Sequence, residues 1–327
     1  ALDIKKYDFV GSGHIGIGYA VIEKIIRAVK NHESKPRFIL GGALITSEPE
    51  LIFNSLNPDF GVLGEGEITI IELLKCLEKN GQFSDSRGSE PTIKFSDSRE
   101  SENFTNLQNV DGIVYRNAYG KTIFTKPRTV IGNLDSLPFP DLESFGFKEF
   151  VENQSNENNF NELDYPKVYF ILCTRGCPYQ CTFCYHSTGP KYRTRSLNNI
   201  FKEIEEAVKK YQINSLSLLD DLFSINKERV YDFCRRIKIL NKKIGYEMNW
   251  SCQLSVNNVD KELLETLKDA GCHVVSFGFE SYSEEVLKSM KKPITPEQID
   301  RAVKLSFEVG IGLQGSFIFG DRAETKE

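Results

Sequence analysis

Apolar and polar residues along this chain fall into blocks that fit short buried strands followed by amphipathic helices. Tyr7-Asp8-Phe9-Val10 reads as a strand, followed by Gly11-Ser12-Gly13 and a helix over residues 20–30 with Val21, Ile25, Ile26 and Val29 on one face. Residues 37–40 form a second strand closed by Gly41-Gly42, and residues 60–63 a third. Gly64-Glu65-Gly66-Glu67 leads into a helix carrying Ile68, Ile71, Leu74 and Cys76. Ser47 and Glu50 have the spacing of a capping box for the short helix between. Strand–helix alternation predicts a parallel sheet covered by helices, with ligands at the carboxyl ends of the strands.

The pattern breaks at residues 81–110, where Phe83-Ser84-Asp85-Ser86-Arg87-Gly88-Ser89-Glu90 nearly repeats as Phe95-Ser96-Asp97-Ser98-Arg99-Glu100-Ser101-Glu102. Two polar octamers bury little, so they read as a solvated insertion. Residues 112–116 and 121–125 form a predicted hairpin around Asn117-Ala118-Tyr119-Gly120, and the Pro- and Asn-rich stretch to Pro166 reads as linker. Alternation then returns. Strands are expected at 168–173, 215–219, 246–256, 273–279 and 311–319, with helix starts at Ser196, Asp260 and Thr295-Pro296-Glu297-Gln298. Five β/α units suggest part of a parallel barrel with its site at the strand ends. The expected organisation is therefore a domain at 1–80, an insertion, hairpin and linker at 81–167, and a barrel at 168–327.

Composition narrows the function. Lys and Arg total 41 against 46 Asp and Glu, a net charge of −5, which argues against a nucleic-acid backbone as the partner. The longest apolar runs, such as residues 168–173, fall far short of the roughly 20 residues of a membrane helix. The N-terminal residues do not resemble a signal peptide. With eight cysteines unevenly placed, the chain is no disulfide scaffold, and a reducing cytoplasm is expected. Cys76, Cys234, Cys252 and Cys272 stand alone and read as small core residues.

The remaining cysteines carry chemistry. Cys177-Pro178-Tyr179-Gln180-Cys181-Thr182-Phe183-Cys184 is a C-x3-C-x2-C string just beyond the first barrel strand. Three thiolates there can hold three irons of a [4Fe–4S] cluster and leave the fourth open to a small molecule. Zinc, with Cys173 as fourth ligand, is the alternative, although structural zinc ligands usually come in two separated pairs. A four-cysteine electron-transfer cluster is the other.

The cysteine string, with Phe183 before its last thiol and Thr174-Arg175-Gly176 before its first, resembles the signature of the radical S-adenosylmethionine (SAM) superfamily, in the subgroup with an N-terminal cobalamin-binding domain. Gly41-Gly42, Gly64-Glu65-Gly66-Glu67, Asp220-Asp221-Leu222-Phe223, Gly278-Phe279-Glu280-Ser281 and Gly315-Ser316-Phe317-Ile318-Phe319-Gly320 extend the resemblance over most of the chain. It implies a truncated Rossmann-like sheet of the cobalamin-binding type, followed by a partial TIM-like radical SAM barrel. It also implies a [4Fe–4S] cluster on Cys177, Cys181 and Cys184 that cleaves SAM reductively to a 5′-deoxyadenosyl radical. By position, Phe183 would touch the adenine, Asp220 or Asp221 the amino group, and Glu280 the ribose. Ser12, Gly41 and Gly42 would contact the cobalamin tail. The implied partners are a small-molecule substrate and an electron donor such as flavodoxin or ferredoxin. Methyl transfer is the first expectation for the reaction and radical cyclisation or rearrangement the second. A non-catalytic iron–sulfur or zinc protein is the remaining alternative.

Departures from the subgroup are visible. Ser255 stands where an arginine is common, and Gly320-Asp321-Arg322-Ala323-Glu324-Thr325 replaces the usual Gly-x-Pro-Gly-Glu-Thr. The Asp-x-His-x-x-Gly string that supplies the lower cobalamin ligand is absent, and His14 lacks its aspartate. The chain reads as a fragment of a longer protein, and residues 1–327 alone are expected to bind cobalamin weakly or not at all.

Overall fold

A computed structural model describes residues 7–14, 18–79, 106–154, 165–186 and 188–325. The two octapeptides lie outside them. The chain divides into one unit of Ala1–Ile131 with Ser187–Gly189 and a second of Gly132–His186 with Pro190–Glu327.

In the first unit the elements run β1 (Phe9–Gly13), α1 (Tyr19–Lys30), β2 (Arg37–Gly41), α2 (Gly42–Ser47), α3 (Pro49–Leu56), β3 (Phe60–Val62), α4 (Gly66–Lys79), β4 (Ile113–Arg116) and β5 (Thr122–Phe124). They build one sheet in sequence order. β1, β2 and β3 pair in parallel. The hairpin β4–β5 forms as its turn chemistry predicts, but it adds to β3 antiparallel, so the sheet is mixed rather than parallel throughout. Phe38 and Leu40 pack into one core with α1 and α3, and Ile39, Phe60 and Val62 into another with α4. Successive β2 side chains are thus buried on both faces, as expected of a strand inside a covered sheet.

Three local expectations need correction. The first strand continues through Gly11-Ser12-Gly13, because these residues pair with Ile39, Leu40 and Gly41. Val21 is exposed, and α1 buries Ile22, Ile26 and Val29; likewise Ile68 and Ile71 are exposed, and α4 buries Leu73 and Leu77. Both helices carry more apolar residues than one face holds. Ser47 caps nothing: it ends α2, its hydroxyl donating to the Leu44 carbonyl, and Pro49 opens α3.

The second unit contains α5 (Phe147–Glu152), β6 (Val168–Ile171), β7 (Thr174–Arg175), β8 (Arg193–Thr194), α6 (Leu197–Tyr211), β9 (Ser215–Leu218), α7 (Lys227–Ile244), β10 (Asn249–Leu254), α8 (Lys261–Asp269), β11 (Cys272–Glu280), α9 (Glu284–Ser289), α10 (Pro296–Val309) and β12 (Gly312–Phe317). β6, β9, β10, β11 and β12 lie side by side in that order, all parallel. This is the five-stranded half-barrel the alternation predicts. Ser196, Asp260 and Thr295 cap α6, α8 and α10 through their side chains, Thr295 and Gln298 in a full capping box. Tyr169, Ile171, Leu216, Leu218, Trp250, Cys252, Leu254, Val275 and Phe277 belong to the buried core. Phe170, Leu172, Leu219 and Gln253, which alternate with them, turn to the opposite face and stay exposed. Among the described residues no helix is long and apolar enough to cross a membrane.

Candidate functional site

The cysteine loop leaves the carboxyl end of β6 and is pinched at its base by the antiparallel pair β7–β8, Thr174 opposite Thr194 and Arg175 opposite Arg193. Gly176 turns the chain with φ +82°. Further on, the Cys184 N–H donates to the Cys181 carbonyl at 3.2 Å and the Thr182 N–H to the Met290 carbonyl at 2.9 Å. The loop is therefore fixed by backbone bonds that do not involve the thiols. Cys177 and Cys181 are half-buried and Cys184 exposed. Burial pushes all three thiols up, and Cys184 is raised further by Asp221 and by the other two cysteines. The Lys292 ammonium pulls in the opposite direction on each. Among the described residues no three His, Cys, Asp or Glu side chains are gathered closely enough to hold a metal ion, so the loop brings the three cysteines near one another without a preformed metal cage.

Two adjacent acids at the end of β9 have different positions. Asp220 is fully buried. Its Oδ1 accepts from the backbone N–H groups of Cys173 and Thr174 at 2.7 and 2.8 Å, and its Oδ2 is buried with no hydrogen-bond partner among the described residues. Burial outweighs these bonds and lifts its carboxyl to about 6. Asp220 thus anchors the loop's base from beneath, whereas Asp221 is exposed. Cys173 is completely buried in the core behind that anchor. The base is braced again by Arg195, which donates to the Leu172 carbonyl at 3.0 Å and pairs with buried Glu203, itself hydrogen-bonded by the Tyr169 hydroxyl at 2.7 Å.

Glu280 ends β11 with φ +62°, a left-handed conformation that costs a side-chain-bearing residue about 1–3 kcal/mol and is most often retained where function needs it. Its carboxylate is nearly buried and pairs with Lys292 at 3.1 Å. The same ammonium stands 5.8 Å from the centroid of the Phe183 ring. Sequence reasoning did not single out Lys292, which lies in a basic pair after α9 and carries no local signature. It also missed the row Gln253–Ser276–Gln314, registered across β10, β11 and β12, where the Ser276 hydroxyl lies 3.1 Å from Gln314 Oε1. Only strand register brings those three together. Ser255 caps the turn at Val256–Asn258. In the altered C-terminal segment the Ala323 N–H donates to Asp321 Oδ1 at 2.8 Å.

In the first unit Ser12 and Gly41 lie at the carboxyl ends of neighbouring parallel strands, the usual ligand position of such a sheet. A Cβ on Gly13 would stand 3.1 Å from the Gly41 carbonyl oxygen, so packing accounts for that glycine, whereas one on Gly41 would meet nothing within 4 Å. Gly42 opens α2 with φ +81°. His14 is exposed. Glu65 has an internal role, its carboxylate accepting from the Ile131 N–H at 2.7 Å.

Comparison with known proteins shows what this arrangement resembles. Residues 171–327 match the family model of the Radical SAM superfamily. The chain is 30% identical over 306 residues to an uncharacterized methyltransferase, PH0819, of Pyrococcus horikoshii, covering 93% of this chain and 58% of that protein. It is 26% identical to the anaerobic magnesium-protoporphyrin IX monomethyl ester cyclase of Rubrivivax gelatinosus, covering 98% of this chain and 52% of the cyclase. The chain thus spans little more than half the length of these relatives. Its fold is that of the radical S-adenosylmethionine methyltransferase TsrM of Kitasatospora setae, with TM-score 0.68 at 18% identity over 97% of this chain and 58% of TsrM.

Proposed function

We propose that this chain is the cobalamin-domain and radical-barrel portion of a radical SAM enzyme, first of all a cobalamin-dependent methyltransferase acting on a small molecule. The observation that carries the reading is the backbone-fixed loop that carries Cys177, Cys181 and Cys184 just beyond β6, with the fourth nearby thiol, Cys173, sealed in the core. Soft thiolate donors suit a [4Fe–4S] cluster, and three of them leave one iron for SAM. When bound there, the cluster supplies the electron that cleaves SAM.

The protein's own groups bind and orient. Asp220 and Arg195 set the loop's origin, Phe183 offers a half-exposed ring for adenine, Glu280 accepts from ribose hydroxyls, and exposed Asp221 is placed to meet the amino group. Ser12, Gly41 and Gly42 are assigned to the cobalamin tail, which the open face of Gly41 suits. A flavodoxin- or ferredoxin-like donor and a cytoplasmic setting complete the reading, which eight unbridged cysteines support.

The test is anaerobic iron–sulfur reconstitution, with about four irons per chain expected, and then reductive cleavage of SAM to 5′-deoxyadenosine. Stoichiometric zinc without iron uptake, or iron without SAM cleavage in the complete protein, would leave a binding protein instead. Radical cyclisation is the second reading, favoured by the match to the Rubrivivax cyclase over nearly the whole chain. An isotopically labelled methyl donor separates the two, since cyclisation transfers no label to product.

A further inference from the structure

Lys292 joins parts of the site that lie far apart in sequence. Its Nζ is 3.1 Å from Glu280 Oε1 with both side chains largely withdrawn from solvent, and 5.8 Å from the Phe183 centroid. A Cβ on Gly278 would lie 2.3 Å from Glu280 Oε1 and 3.0 Å from Lys292 Nζ, so the pair crosses directly over that glycine. The backbone around Lys292 is fixed as well. Its N–H donates to the Leu287 carbonyl at 2.9 Å, Met290 accepts from Thr182 of the cysteine loop at 2.9 Å, and the Pro293 carbonyl accepts from Asn257 Nδ2 at 2.8 Å. One short segment thus ties α9, the cysteine loop and the turn after β10 to a single ammonium.

Stability alone is a weak reason for such a pair. The cost of desolvating two charges cancels most of their attraction, and packed apolar residues generally serve stability as well. What the pair does provide is direction. With Oε1 held by Lys292, Glu280 keeps Oε2 to accept from a ligand, and the ammonium near Phe183 fixes the ring's position relative to that oxygen.

We propose that Lys292 is a positioning residue, holding Glu280 and Phe183 in the arrangement that receives the ribose and adenine of SAM. This rests on the radical SAM reading above. The experiment uses the cluster-loaded protein, with Lys292→Met, Lys292→Gln and Lys292→Arg compared with wild type. Three quantities are read: iron per chain, SAM affinity by equilibrium dialysis, and the change SAM causes in the electron paramagnetic resonance spectrum of the reduced cluster.

Losing a charge-assisted hydrogen bond should weaken SAM binding by about tenfold in the Met and Gln variants. Iron content should be unchanged, the spectral response should need correspondingly more SAM, and Lys292→Arg should restore most of both. Glu280→Gln should weaken binding similarly, and combining it with Lys292→Met should add little. Wild-type affinity in the Met and Gln variants would overturn the inference. So would iron lost together with SAM binding, which would make Lys292 a support of the loop. A wild-type protein that takes up no iron, or takes up iron and binds no SAM, would instead overturn the proposed function.

Discussion

Asp220 makes the folded protein's stability depend on pH in the direction opposite to most carboxylates. Its side chain is fully buried at the base of the cysteine loop. Burial raises its carboxyl from 3.8 to about 6, while the backbone N–H groups of Thr174 and Cys173, the Thr174 hydroxyl and Arg229 pull the other way and lose. Between these two values the unfolded chain has released the proton and the folded chain still holds it, so stability falls as pH rises. The contribution is fully present below the unfolded value and is lost as pH climbs through the folded one. At 1.36 kcal/mol per pKa unit, it is worth roughly 3 kcal/mol. The assay is urea unfolding of the metal-free protein and of Asp220→Asn from pH 4 to pH 7, followed by the fluorescence of Trp250, the chain's single tryptophan and a fully buried core residue of the same unit. Subtracting the Asn variant removes every other titrating group. The difference in unfolding free energy, wild type minus variant, should drop by roughly 2.4 kcal/mol across that range, since a little of the effect is already lost at pH 4. A flat difference, or one that grows with pH, would refute the reasoning, because it would mean that the two backbone donors outweigh burial.

Three further outcomes are expected. Cys177→Ala, Cys181→Ala and Cys184→Ala should each abolish iron retention, while Cys173→Ala should keep it, as measured by iron analysis after reconstitution. Arg195→Met strips buried Glu203 of its cation and should cost about 3–5 kcal/mol in urea unfolding, with Glu203→Gln costing less. Gly271 has φ +88° and would place a Cβ 2.6 Å from the Met248 carbonyl oxygen, so Gly271→Ala should lower stability by at least about 1 kcal/mol, seen as a lower thermal midpoint.

What the sequence made legible was local. Helix starts at Ser196, Asp260 and Thr295 depend on a side chain and an N–H three residues on, and each was readable without a fold. The C-x3-C-x2-C string was readable because loop neighbours remain neighbours. Misreadings arose where two local rules compete. Ser47 and Glu50 have the right spacing, but Pro49 takes the first helical position between them. The apolar stripes of α1 and α4 are wide enough to face either way, and only packing settles which residues are buried. Long-range partners carried no signal: Lys292 reaches Glu280 across a helix and a turn, and the side-by-side acids Asp220 and Asp221 differ only in which one the β6 loop covers.

The way the loop is held bears on how its chemistry can be tested. Its base is fixed by β7–β8 pairing and by Asp220 on the backbone of Cys173 and Thr174; its far side is fixed by Thr182 on the Met290 carbonyl. None of these bonds uses the thiol of Cys177, Cys181 or Cys184, and those three side chains are only half-buried or exposed. Replacing one of them leaves the loop's backbone network intact and creates no large cavity, so substitution should cost little folding energy. Removing Asp220 or Arg195 works in reverse, disturbing the loop's origin while sparing every thiol. Iron loss from a single cysteine variant that keeps its unfolding midpoint therefore reports a lost ligand. Iron loss from Arg195→Met, which lowers the unfolding midpoint, would report a displaced loop, and the two causes separate on stability alone.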